Sequence, residues 1–444
     1  MQLKEYTPKS SICWLDWDKD VQEKMGLLLK ELQEPGTADD LGVRWIQIHI
    51  SNRLFPGTSV NQTRLRYAIL VIGLYLKLEK EVKKSKGMSL AGIQTRVREL
   101  ECEIKDALKK DALEKKGGEV GIIGITSPFT VQANSSIIDF YKTLLRNWGF
   151  HSIDSDTKYF EKLLSQWRPK QGSKDDDKEV DEIANFWSLT QAQKQIIQNM
   201  SIDIQLDAYD AELLYHKLEH HHAHSLLGWL FSLAKNNQAS AVALINCPHI
   251  PFEYEFWKEE YDFWNNLSTS LQDLVRYAQG FALLIKGATI VFHWCLCLEL
   301  KSRYASIWDL HNREKEKAYD ICCLENLDLW LLNWRDWYKS NSDFSISTLW
   351  DIFKIKEEKE TKTFLHIWFT EIQKNNTAAE LAAKTQQIIQ EREKKKKPVR
   401  SYFRNEARLR AWVPITKGQT ITYRWSNIQR FCQDYLDSQR EKER

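Results

Sequence analysis

The sequence predicts a mainly α-helical protein, a multi-helix core carrying a small basic C-terminal module that is α or α+β. Three observations predict it. Apolar residues recur at helical spacing along most of the 444 residues, and strict two-residue alternation is rare. The stretch 179–374 holds few glycines and prolines, the residues that interrupt helices. Apolar runs such as 281–300 have the length of helices rather than strands. With 43% hydrophobic residues the chain can build a real core, and its length suits two or three domains.

In chain order, 18–33 is amphipathic and ends at Glu34-Pro35-Gly36. Thr37 is an N-cap for the next helix, with Asp39 and Asp40 in the first turn, and Val43, Ile46, Ile50 and Leu54 form its apolar face. Phe55-Pro56-Gly57-Thr58-Ser59 stops that helix, and Thr58 or Ser59 can cap the one that follows. Helices are expected over 64–86, 89–116 and about 135–147. The glycine-rich stretch 117–124 breaks the pattern between the last two. Strand candidates are confined to 121–125 and 419–425. Shifts in composition divide the chain into an N-terminal helical domain (1–167), a charged linker (168–178), a central helical domain (179–374) and a helix with a basic aromatic module (375–444).

The punctuated stretch 37–67 carries a resemblance. Cys13-Trp14-Leu15-Asp16, Thr37-Ala38-Asp39-Asp40-Leu41-Gly42, residues 55–59 and Gln62-Thr63-Arg64-Leu65-Arg66-Tyr67 are similar to the signature of an uncharacterised prokaryotic family known as a domain of unknown function. Ala38 departs from it, standing where that family has arginine. The likeness continues to Arg408-Leu409-Arg410 and Tyr423-Arg424-Trp425. It implies a cytoplasmic component of a multi-protein system acting on DNA, with genome and antiviral defence as the setting. It implies no activity.

Charge and cysteine content narrow the field. A net charge of +2 selects neither nucleic acid nor membrane in bulk. The N-terminus lacks an apolar secretory segment. The eight cysteines are scattered without a Cys-x-x-Cys, which fits a reducing cytoplasm and argues against a thiolate zinc site. The run 281–300 is near the length of a membrane span, but Lys286, His293 and Glu299 make it a buried central helix instead. Trp330, Trp334 and Trp337 fall on one helical face and read as core.

Several stretches are candidates for chemistry. The glycines of 117–124 lack the Gly-Lys-Ser/Thr ending of a phosphate loop and read as a connection. Glu299-x-Lys301 has a nuclease-like spacing but sits in a helical context. His216, His220 and His224 are four residues apart, so on a helix they share a face that could bind zinc or nickel; this is the alternative reading, a metal-dependent enzyme. Adventitious surface histidines are the simpler account.

The best binding candidate is the C-terminal module. Residues 391–444 hold 15 Lys/Arg against 7 Asp/Glu, in a chain whose total is only +2. Arg400, Arg404, Arg408 and Arg410 interleave with Tyr402 and Trp412, and Arg424 precedes Trp425. Guanidinium groups hold phosphates, and aromatic faces stack on unpaired bases. Arg64 and Arg66, near a helix start, are a second candidate patch, against a structural reading in which they pair with Asp39 or Asp40. The expectation is therefore a non-enzymatic protein with no cofactor and no membrane contact. Its partners are other proteins of the system together with DNA or RNA. The further alternative is a scaffold whose tryptophan-rich faces bind protein.

Overall fold

In the computed structural model the described residues are 39–85, 88–114, 121–123, 136–151, 156–167, 186–253, 263–356 and 358–442. The Trp-Leu-Asp motif at 14–16, the helix expected over 18–33 and the linker 168–178 lie outside them, as does all of the glycine-rich stretch except 121–123. The described residues hold seventeen helices, no strand, and one isolated antiparallel bridge between His151 and Trp187.

The first group is built on α2. It comprises α1 (Arg44–Leu54), α2 (Arg66–Ser85), α3 (Leu90–Glu114), α4 (Ile137–Asn147), α5 (Asp156–Trp167) and α6 (Gln191–Gln198). α2 packs against α3, α4, α5 and α6. Its first half, residues 66–72, is buried on every side, whereas its second half buries only Leu74, Tyr75, Leu76, Leu78 and Val82. That change matches the sequence, apolar first and lysine-rich later.

The next elements are α7 (Ala208–His222), α8 (Leu226–Asn236), α9 (Gln238–Ile245), α10 (Thr269–Arg303), α11 (Ala305–Asn312) and α12 (Tyr319–Lys339). They are followed by α13 (Ile346–Ile352), α14 (Lys359–Lys374), α15 (Ala378–Lys396), α16 (Glu406–Ala411) and α17 (Trp425–Lys442). α10 is 35 residues long and is capped by the Ser268 hydroxyl, which accepts from Leu271 N–H. By length and hydropathy it is the one described helix able to cross a membrane, and 78% of its most apolar window is buried inside the protein. A helix apolar all round needs partners all round, and α10 finds them in α12, α15, α11, α16 and α1.

The tryptophan stripe closes this packing. Trp330, Trp334 and Trp337 are buried, and Trp330 stacks between Trp334 and Trp368. Trp330 donates to Leu283 O and Trp368 to Leu284 O, both at 2.8 Å, because a buried indole N–H needs an acceptor. Gly280 and Gly287 permit the approach. A Cβ on Gly287 would lie 2.3 Å from Trp330 Cζ2, and one on Gly280 would lie 2.5 Å from the Phe344 ring.

The last helix belongs to the core. α17 packs on α7, α8 and α9, and one hydrophobic cluster runs from Leu41 to Leu436. Two local expectations differ from the structure. The first signature helix starts at Arg44 because Gly42 takes φ +65°, and Asp39 serves from outside it, accepting the N–H groups of Val43 and Arg44 at 2.7 and 3.0 Å. Residues 419–424 form no strand. They lie along α10, Gln419 N–H donating to Thr289 and the Tyr423 hydroxyl to Ala278 O, and no neighbouring strand offers a ladder.

Candidate nucleic-acid interface

The stretch 55–67 is a buried polar junction. Gly57 has φ +78° and sits 3.1 Å, at its ideal Cβ, from both Leu144 Cα and Trp148 Nε1, so a side chain is excluded on two counts. Trp148 donates to Pro56 O at 3.0 Å, and the Thr58 hydroxyl turns back to Phe55 O at 2.7 Å. Gln62 has no solvent exposure. Its amide donates to Gly57 O and Phe140 O while its carbonyl accepts Ser59 N–H. The Tyr141 hydroxyl accepts from Thr63 and Arg64 N–H and donates to Arg64 O.

The arginines of this junction face acids and carbonyls of the protein. Arg64 Nε donates to Asp434 at 2.7 Å, and the same carboxylate accepts Leu65 N–H at 2.7 Å, so it caps α2 from the far end of the chain. The Arg66 side chain is 2% exposed and is paired with buried Asp210, with Asp207 at 3.3 Å and Asp203 at 3.9 Å. Arg424 donates to Asn52 at 2.8 Å and to Thr58 O, and Asn427 donates to Val60 O and Gln62 O. Arg64 and Arg66 therefore reach Asp434 and Asp210, not Asp39 or Asp40. Asp40 pairs instead with Lys397, and Arg392 holds Leu41 O and Gly42 O.

The other basic residues are arranged differently. α15 ends at Lys396, and the chain turns back because buried Glu393 accepts the Ser401 hydroxyl and Tyr402 N–H. Burial raises the Glu393 carboxyl above its ordinary value, opposed by those hydrogen bonds. Past this anchor, Arg400, Arg404 and Arg410 are exposed and Arg408 is half-buried. Among the described residues no carboxylate lies within ion-pair distance of these four, whereas Lys395, Lys396, Lys397 and Arg440 each have one. The Arg408 guanidinium lies 4.3 Å over the Tyr402 ring, and Arg410 lies 4.5 Å over Tyr304. Trp412 and Trp425 are buried, Trp412 beside His293, so neither offers a free face for a base. His293 donates through Nδ1 to Lys417 O, and burial lowers its pKa to about 4.

The histidine tract does not assemble into a ligand set. α7 carries His216 and His220 and ends at His222, two residues short of His224. His216 instead lies 3.4 Å from Glu212 and 3.7 Å from Glu219, and His222 is bonded to Asn147 O. Among the described residues no three His, Cys, Asp or Glu side chains are grouped to hold a metal ion. Glu299 and Lys301 both lie on α10, paired with Arg303 and Asp320, without the strand a nuclease pair requires.

Comparison with known families gives a match along nearly the whole chain: the model of the family of unknown function DUF6361 covers residues 9–439. The chain belongs to DUF6361. No curated protein and no solved structure matches it. The DUF6361 match spans every described helix, from α1 to most of α17, and so includes both the polar junction and the exposed arginines.

Sequence reasoning missed the acids that hold this DUF6361 junction together. Asp434 lies on the buried face of α17 with Phe431, Tyr435 and Ser438, and Arg392 and Glu393 follow Ile389 on the buried face of α15. A charged residue on an otherwise apolar stripe is the readable sign of a buried pair. What no pattern in the sequence reveals is the partner, which lies 370 residues away for Asp434 and Arg64.

Proposed function

We propose that this chain is a non-enzymatic, nucleic-acid-associated component of a prokaryotic multi-protein system, for which its family likeness implies a defence setting. In this reading the turn 400–410 touches the phosphate backbone. One contrast supports it. The arginines of the junction are held against carboxylates or carbonyls, while Arg400, Arg404 and Arg410 stand exposed without an acid partner. Exposed guanidinium groups that no protein acid neutralises are suited to phosphate oxygens. Arg408, stacked on Tyr402, holds its charge in a fixed place.

The same geometry narrows the mode of contact. With Trp412 and Trp425 in the core and Tyr402 covered by Arg408, phosphate contact replaces base stacking. Binding is then strongly salt-dependent and weakly dependent on sequence.

The test compares the full-length chain with an Arg400→Ala, Arg404→Ala, Arg408→Ala, Arg410→Ala variant on fluorescent duplex DNA, single-stranded DNA and RNA across a salt series. The reading requires salt-sensitive binding that the variant loses while its melting curve stays unchanged. Undiminished binding by the variant, or no binding by the parent at low salt, overturns it.

A further inference from the structure

A second surface, independent of the arginine turn, lies where α10, α12 and the strap 413–421 meet. α12 buries its tryptophans on one side and leaves Leu329 and Leu332 59% and 62% exposed on the other. Two adjacent leucines on an outer helical face are a contiguous apolar patch, unlike scattered single ones. The strap passes the other side of the same helix. Val413 and Ile415 are 63% and 48% exposed, and Cys323 of α12 donates its S–H to Ile415 O at 3.7 Å, so the strap touches α12 there.

Between them is a cavity of about 240 Å³, walled by Ala282, Leu283, Ile290 and Trp330 and bordered by Leu329. Cofactor and drug sites run from roughly 300 to 1,000 Å³. This one is smaller and suits a single large side chain. Two lysines and one glutamate line it. Lys286, half-buried, and Lys417, at the rim, both line it, and among the described residues neither has a carboxylate within ion-pair distance. The glutamate, Glu253, sits at one edge, 3.4 Å from His249 and accepting Ile250 N–H, so the lysines outnumber it.

We propose that this groove docks a partner protein through an acidic segment carrying one large apolar anchor. The anchor enters the cavity against Trp330 and Ile290, Leu329 at its border and Leu332 one turn beyond cover one flank of the segment, and carboxylates beside it meet Lys286 and Lys417. Apolar anchors in small pockets carry most interface energy, and complementary charge selects the partner. A phosphodiester chain would use the lysines and leave the leucines without a role.

The experiment pans a random 12-residue displayed-peptide library on the full-length chain, with counter-selection on a Leu329→Asp, Leu332→Asp variant. Selected peptides are then synthesised, labelled and titrated by fluorescence anisotropy. The expected peptides place Asp or Glu around one Leu, Phe or Trp. They bind the leucine variant at least tenfold more weakly, and a Lys286→Gln, Lys417→Gln variant at least fivefold more weakly, with melting curves of both variants unchanged. Enrichment of peptides without acids, affinities indifferent to either variant, or no enrichment that depends on the leucines overturns the proposal. So does a parent chain that is dimeric by light scattering and made monomeric by the leucine substitutions, since that assigns the face to a second copy.

Discussion

The Asp434 carboxylate accepts the Leu65 N–H and the Arg64 Nε–H, each at 2.7 Å, so a residue of the last helix caps the second. The Asp434 side chain is 4% exposed and that of Arg64 17%. Removing one member of such a pair leaves the other desolvated without compensation. Asp434→Ala is expected to cost about 3 kcal/mol, read as a lower urea midpoint at constant slope. A loss below about 0.5 kcal/mol would mean water replaces the carboxylate without penalty.

Asp210 should set part of the pH dependence of stability. Burial raises its carboxyl from 3.8 to about 7 against the pull of Arg66, with Asp207 and Asp203 adding to the rise. A carboxyl held higher in the folded chain keeps its proton longer there. Its stabilising contribution is whole below about pH 4 and is lost as pH rises toward 7. Asp210→Asn should therefore flatten the urea-midpoint profile across that window, and an unchanged slope would show that Asp210 titrates alike in both states.

Gly287 is closed to any side chain by Trp330. Gly287→Val should push α12 off α10 and cost at least about 2 kcal/mol, seen as a lower melting temperature and altered tryptophan fluorescence. A variant with the parent's melting temperature would mean the two helices can separate freely.

A chain ending at Gln390 should not fold. It loses Trp425 and Tyr435 from the core, Asp434 from the start of α2, and Arg392 from Leu41 O and Gly42 O. Circular dichroism and size-exclusion chromatography would show lost helix or aggregation. A monomeric, cooperatively melting product would show that the C-terminal part is an appendage.

The arginine turn makes a quantitative prediction. Each phosphate contact contributes about 0.9 to the slope of log affinity against log salt, so removing four arginines should lower that slope by about 3.6. Arg400→Lys and Arg404→Lys should keep most of it, because the term is electrostatic.

The sequence by itself determined the helices. α2 and α12 follow from apolar periodicity, α10 from the length of its apolar run and α15 from helix propensity, and the stop at Pro56-Gly57 follows from backbone chemistry, because these depend on neighbours within a few residues. The tryptophan stripe was equally readable as core. The division of the arginines into two kinds was not. Arg64, Arg66 and Arg424 look as available in the sequence as Arg400 and Arg404, and only the tertiary structure set Asp434, Asp210 and Thr58 O against the first three while leaving the others in solvent. Likewise His216, His220 and His224 share a helical face on paper, and the structure ends α7 at His222. Burial and ion pairing depend on which distant segments meet, and local pattern carries no record of that.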